Sequence, residues 1–268
     1  MTAQASLGFD HIIAMVRDID AASRDFADLG FGIVQRPDAT LTETNNRFVA
    51  FPDGSYLQIC AFFDLAKSSA HKWAPVLSAG EGWVDYSLRT GDVADVRARL
   101  AAVGVEIPEA RVSTKPLTDG RSWVAAIMHA GRGIGASPLR PYFVEDRADR
   151  AIRVPPPAAP QPGNASGIVG VTLLSRDLDS EATTLSAIFG AGEDRPARLD
   201  GGRRTRLFQL SAGWLEIIEP MPGSALAAER DRRGDGVHEV LLGRPGLAPG
   251  DGRLLPIEKT HGARIRVG

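Results

Sequence analysis

Residues 10–32 read DHIIAMVRDIDAASRDFADLGFG, and residues 169–192 read VGVTLLSRDLDSEATTLSAIFGAG. Both carry an apolar run, then Arg-Asp-Ile/Leu-Asp, then a short amphipathic segment that ends in glycine. Arg17-Asp18-Ile19-Asp20 thus answers Arg176-Asp177-Leu178-Asp179. A second match follows downstream, where DGSYLQICAF around Gln58 answers SAGWLEIIEP around Glu216. Two matches at nearly constant spacing argue for an internal repeat, so the fold is read as copies of one unit.

The unit's content follows from periodicity. His11 to Val16 is short and apolar, which predicts a strand. Asp18 or Asp20 can then cap a helix whose Ala22, Phe26 and Leu29 share one face, and Gly30 stops it. Strands are expected at Gly32 to Arg36, Arg47 to Phe51 and Tyr56 to Phe62, with Pro52-Asp53-Gly54 as the turn between the last two. This is one β-α-β-β-β module. The order recurs from Trp83: a strand over WVDYSLRT, a helix capped by Asp92 with Val93, Val96, Leu100 and Val103 on one face, then strands near Arg111 to Thr114, Ser122 to Met128 and Pro141 to Glu145. A third module is expected from Ile168, with a helix from about Asp179 to Phe189 and strands at Arg204 to Leu210 and Trp214 to Glu219. A fourth reads as truncated, with strands at Val237 to Leu242 and near Ala263 to Val267 and no helix between them. The fold class is therefore α+β, with paired βαβββ modules in curved mixed sheets that close into a cup.

Between the second and third modules lies VPPPAAPQPG, residues 154–163, with five prolines in ten residues. Proline withholds backbone donors and favours a stiff, extended connection. The expected organisation is residues 1–153 as one two-module domain, 154–163 as linker, and 164–268 as a second, shorter domain.

Composition bounds the rest. Hydrophobic residues are 43% and charged residues 24%, with 31 Lys+Arg against 33 Asp+Glu and a net charge of -2. That is globular, and it lacks the concentrated positive field of a nucleic-acid or acidic-membrane binder. The first ten residues lack a secretory signal pattern, and no apolar run reaches the ~20 residues of a spanning helix. A single cysteine, Cys60, excludes an internal disulfide and points to a cytoplasmic setting. In an apolar strand it reads as core rather than as a nucleophile beside His129. The glycine-rich stretch from Gly131 to Gly135 does not stand between a first strand and a helix, so it is read as a loop.

FDHIIAMVRDIDAASRDFADLGFGI, TNNRFVAFPDGSYLQI and AGEGWVDYSLRT resemble the vicinal oxygen chelate superfamily, and within it the glyoxalase-like domain proteins. The resemblance is strong over Gly8 to Asp146 and weaker over Gly167 to Val267. It implies a cup around a small-molecule site, often with a divalent metal such as Zn, Mn, Fe or Ni. Metal ligands in the superfamily come from the first and last strand of each module, which carries the role to His11, Gln58, Asp85 and Glu145. Many relatives have Glu at the Gln58 position and His at the Asp85 position, so the set departs from the usual one. Glu145 is the expected proton-transfer base; Gln58, Asn46 and Tyr86 are the expected substrate contacts. In the second half Gly170 stands where the first-strand histidine would be, and His238 and Glu216 fall near two other positions. That half is read as metal-free. The implied function is a metal-dependent isomerase or lyase acting on a small oxygenated molecule through an enolate or oxyanion, with a ring-cleaving oxygenase as a further reading that the departure from the two-His, one-carboxylate set argues against. A metal-free binding protein is the alternative, and the resemblance leaves both monomer and homodimer open.

Overall fold

The computed structural model describes residues 7–40, 43–131 and 137–268; most of the glycine-rich stretch lies outside them. In the first half the elements are β1 (Gly8–Met15), α1 (Ile19–Asp28), β2 (Ile33–Val34), β3 (Thr44–Ala50), β4 (Tyr56–Phe62), α2 (Ala74–Ser78), β5 (Gly82–Arg89), α3 (Val93–Ala102), β6 (Arg111–Pro116), β7 (Ser122–His129), β8 (Tyr142–Asp146) and α4 (Arg150–Arg153). The second half has β9 (Gly167–Leu174), α5 (Ala182–Phe189), β10 (Glu193–Arg195), β11 (Gly202–Leu210), β12 (Gly213–Pro220), α6 (Ala225–Arg233), β13 (Gly236–Gly243), β14 (Arg253–Leu254) and β15 (Arg264–Val267).

Local chemistry explains the helices. The Asp18 carboxylate accepts from the Asp20 and Ala21 amides at the start of α1, whose buried face is Ile19, Ala22 and Phe26. Gly30, at φ 91°, adopts the left-handed conformation that ends the helix. Asp92 caps α3 in the same way. Val103, expected on the buried face of that helix, instead follows its last residue and is exposed.

The first sheet runs β2-β3-β4-β1-β5-β8-β7-β6. At its centre β1 and β5 pair antiparallel, while β1 is parallel to β4 and β5 to β8. Two modules therefore pair within one chain. The edges are drawn together beyond β2 and β6, where Asp38 bridges Leu117 and the amides of Ala39 and Thr118 donate to the carbonyls of Pro116 and Pro37. This closes the curved sheet into a cup.

The second sheet runs β10-β11-β12-β9-β13-β15-β14. It contains two short strands, β10 and β14, whose two or three residues are too few to show a periodic pattern in the sequence. The outer faces of β1 and β5, with α1 and α3, share one apolar core with β9, β13 and α5; Ile12, Tyr86, Phe26, Val171, Val240 and Leu185 all belong to it. Arg99 ties α3 to α5 by donating to the carbonyls of Ala187 and Ile188.

The two cups are filled differently. Gly170 pairs with Trp214 as His11 pairs with Tyr56, and a Cβ on Gly170 would lie 2.1 Å from the Trp214 ring. The Gly170→Ala variant is expected to lose about 1–3 kcal/mol through overpacking, measured as a shift in the urea midpoint. Arg198 donates to Glu216 on β12 and Glu239 on β13, and His238 on β13 contacts Glu229 on α6 at 2.8 Å. The second half thus holds ion pairs where the first half holds its cavity.

Candidate active site

A cavity of about 190 Å3 lies inside the first cup. That is below the ~300–1,000 Å3 of pockets for drug-sized ligands, so it suits a small molecule. His11, Tyr56 and Tyr142 border it on one side, Arg36, Lys115 and Trp123 on another, and Asn46 and Gln58 on a third.

His11 is aimed by a β-bulge. Along β1 the register with β5 jumps between Phe9 and His11, leaving Asp10 as the extra residue. Adjacent strand residues normally face opposite ways, and a bulge re-aims them. Here the Asp10 carboxylate reaches its neighbour, with Oδ1 2.6 Å from His11 Nδ1. Asp10 is fully buried, which the guanidiniums of α4 offset: Arg153 donates to both its oxygens at 3.0 and 2.7 Å, and Arg150 adds a bond of 2.7 Å. Burial opposes ionisation of Asp10, yet Arg153 and His11 together hold its carboxyl well below the usual range. Arg153 also donates to Asp146 and to the Tyr56 hydroxyl.

An ionised Asp10 places the imidazole proton on Nδ1, so His11 Nε2 is an acceptor. The Tyr142 hydroxyl contacts that nitrogen. Burial lowers the His11 pKa despite Asp10, which leaves the ring neutral, and it raises the Tyr142 pKa well above the ordinary value. Tyr56 stacks on the imidazole, with centroids 4.5 Å apart and planes 8° apart. The result is a carboxylate-imidazole-hydroxyl chain that ends at the cavity.

The structure separates the other residues singled out in the sequence. Asn46 and Gln58 do border the cavity; Gln58 Nε2 donates to Asn46 Oδ1 at 3.1 Å, and the Cys60 thiol donates to the same oxygen at 3.0 Å. Burial pushes Cys60 up to about 12, so it stays a thiol. Asp85 is buried beneath Lys72 and Trp73, accepting from Lys72 Nζ and Trp73 Nε1 at 3.0 Å each. Glu145 does not reach the cup. Strand alternation on β8 puts Tyr142 and Val144 on the cavity, while Glu145 accepts from the Val93 amide at the start of α3 and pairs with Arg147. Tyr86 is likewise on the helix side, fully buried, its hydroxyl donating to the Leu139 carbonyl.

These placements bear on a metal. Both His11 nitrogens have partners, Asp85 is neutralised by an ammonium, and Glu145 belongs to a helix terminus. Among the described residues, no three His, Cys, Asp or Glu side chains converge on a common point. The donor set His11, Gln58, Asp85 and Glu145 therefore does not fit a divalent ion. Purified protein is expected to carry far less than stoichiometric Zn, Mn, Fe or Ni by mass spectrometry. Chelator should leave its melting temperature unchanged; a stoichiometric metal that raises the melting temperature would overturn this prediction.

The glyoxalase-like domain profile matches residues 9–189, more than half of the sequence. The chain belongs to the glyoxalase-like domain family. Its fold is that of the vicinal oxygen chelate superfamily. A hypothetical protein from Staphylococcus aureus superposes with a TM-score of 0.65 at 13% identity, covering 98% of this chain and 99% of the other. A variant of 4-hydroxymandelate synthase from Streptomyces coelicolor gives 0.59 at 16% identity, covering 89% and 71%. An Mn(II)-bound glyoxalase from Novosphingobium aromaticivorans gives 0.49 at 14% identity, covering 89% and 66%. No curated protein matches the sequence. Among the described residues, no helix of this glyoxalase-like protein is long and apolar enough to cross a membrane.

Sequence reasoning missed Asp10, Tyr142, Lys115 and Trp123. Asp10 and Tyr142 had a signal: one is next to His11, and the other is three residues before Glu145, on the opposite face of the same strand. Lys115 and Trp123 face each other across β6 and β7, a pairing that becomes apparent only once the hairpin register is known.

Proposed function

We propose that the first cup is the active site of a metal-independent enzyme that moves a proton on a small oxygenated organic molecule, with isomerase or lyase chemistry. The observation that carries this reading is the chain Asp10–His11–Tyr142 ending at the cavity. A hydroxyl bonded to a neutral imidazole that a carboxylate orients is the arrangement that activates hydroxyls in acyl-transfer enzymes. In the forward step Tyr142 passes its proton to His11 Nε2 as its oxygen takes one from the substrate. The imidazolium so formed is stabilised by Asp10. Reversal returns the proton to a different substrate atom, or to the leaving group in a lyase reaction. The Asn46 amide spends one proton on the Thr44 carbonyl and has a second in the same cavity for the substrate oxygen that gains charge, while Gln58 holds the Asn46 oxygen in place.

The test is a screen of small ketones, hydroxyketones, oxoacids and hydroxyacids in D2O, read by NMR as loss of the proton next to the carbonyl or hydroxyl carbon. Enzyme-dependent exchange that survives chelator supports the reading. Tight binding without exchange or turnover would instead make the protein a sequestering module. Activity restored only by added metal would overturn the metal-independent mechanism.

A further inference from the structure

We infer that the cup takes a monocarboxylate and that Lys115 and Trp123 form its anion-binding end. The inference rests on the proposed active site for its location, and it goes further by naming the substrate class.

The argument begins with charge. Asp38 accepts from Arg36 at 2.7 and 3.0 Å in a bidentate pair, so the guanidinium is neutralised. Arg150 and Arg153 are matched by Asp10 and Asp146. His11 is neutral. Lys115 remains, bordering the cavity, with no acceptor among the described residues. One uncompensated ammonium beside a small cavity attracts one negative charge. With Arg36 and Asp38 cancelling each other, a single ammonium matches a monoanion better than a dianion such as phosphate.

A second, independent observation concerns Trp123. Its indole Nε1 is buried with no hydrogen-bond partner among the described residues, although the ring borders the cavity. A buried unpaired donor is costly, and an acceptor oxygen supplied by a ligand relieves that cost. Lys115 and Trp123 are directly opposite each other on β6 and β7, so their side chains share one face; the Lys115 ammonium would hold one carboxylate oxygen, and a turn of the indole that uncovers its buried Nε1 would bring that donor to the other. The Arg36 guanidinium lies over the Trp123 and Phe48 rings at 5.1 and 5.0 Å. His11 and Tyr142 border the same cavity.

Isothermal titration of the intact protein with pyruvate, lactate and glycolate, each beside its neutral amide, tests the inference. The acids should bind at least about tenfold more tightly than the amides. Lys115→Met should weaken acid binding by about 10- to 100-fold, the usual worth of a charged hydrogen bond, and leave amide binding unchanged. Lys115→Arg should restore much of the loss, and Trp123→Phe should cost a smaller factor with the aromatic packing kept. Unchanged melting temperatures keep folding out of the comparison. Equal binding of acids and amides, tighter binding of inorganic phosphate, no binding by any acid, or acid binding insensitive to Lys115→Met would overturn the inference. Acid binding that needs Lys115 but brings no proton exchange would leave the anion site standing and sink the proton-transfer reading instead.

Discussion

Replacing His11 with asparagine should lower turnover by about 100- to 10,000-fold, the range that positioned proton transfer contributes, with substrate binding largely kept. Asparagine retains a donor toward Asp10 Oδ1 but offers no basic nitrogen to the Tyr142 hydroxyl. Tyr142→Phe should cost a similar factor by removing the group that touches substrate. The double variant should be scarcely worse than either single one, because the two residues act as a unit. Additive losses in single-turnover measurements would show that His11 and Tyr142 work separately. The neutral His11 also fixes the direction of the pH effect. Its pKa is lowered by burial, so activity should persist below the ordinary histidine range and fall only as the ring protonates, losing its acceptor lone pair.

Replacing Arg153 with methionine should destabilise the protein by about 3 kcal/mol, the lower end of the cost of breaking a buried ion pair. Arg153 spends its guanidinium on Asp10, Asp146 and Tyr56, and methionine strands the two carboxylates. Arg150 still contacts Asp10 Oδ2 and Asp146 Oδ2, which keeps the loss from the upper end of that range. Urea unfolding followed by circular dichroism measures it. Because the native Asp10 pKa is depressed, its contribution is complete above the unfolded carboxyl pKa and is lost as pH falls toward the native value. Loss of Arg153 raises the native Asp10 pKa, so protonation relieves the stranded buried charge and the stability deficit of the variant should be largest near neutral pH and shrink as pH falls. A variant as stable as the parent at neutral pH would mean that Arg153 is dispensable to the cup.

The sequence determined the modular plan. Alternation, helix caps at Asp18 and Asp92 and the turn at Asp53-Gly54 are local, and local chemistry fixed most of the elements. The family resemblance, rather than periodicity, points to His11, Asn46 and Gln58, and all three border the cavity. The bulge at Asp10 could not be read along the chain, since one extra residue in β1 is defined only against its partner β5. The same limit misassigned Glu145. A strand pattern says which residues share a face, but which face meets the helices and which the cavity is decided by packing. That choice turned Glu145 toward α3 and Tyr142 toward His11. Tertiary structure alone decided that Asp85 would be neutralised by Lys72, that Trp214 would occupy the second cup, and that Lys115 and Trp123 would meet on one wall. Each depends on contacts between segments far apart in the chain, where Coulomb pairing and close packing act on distances that spacing along the sequence does not encode.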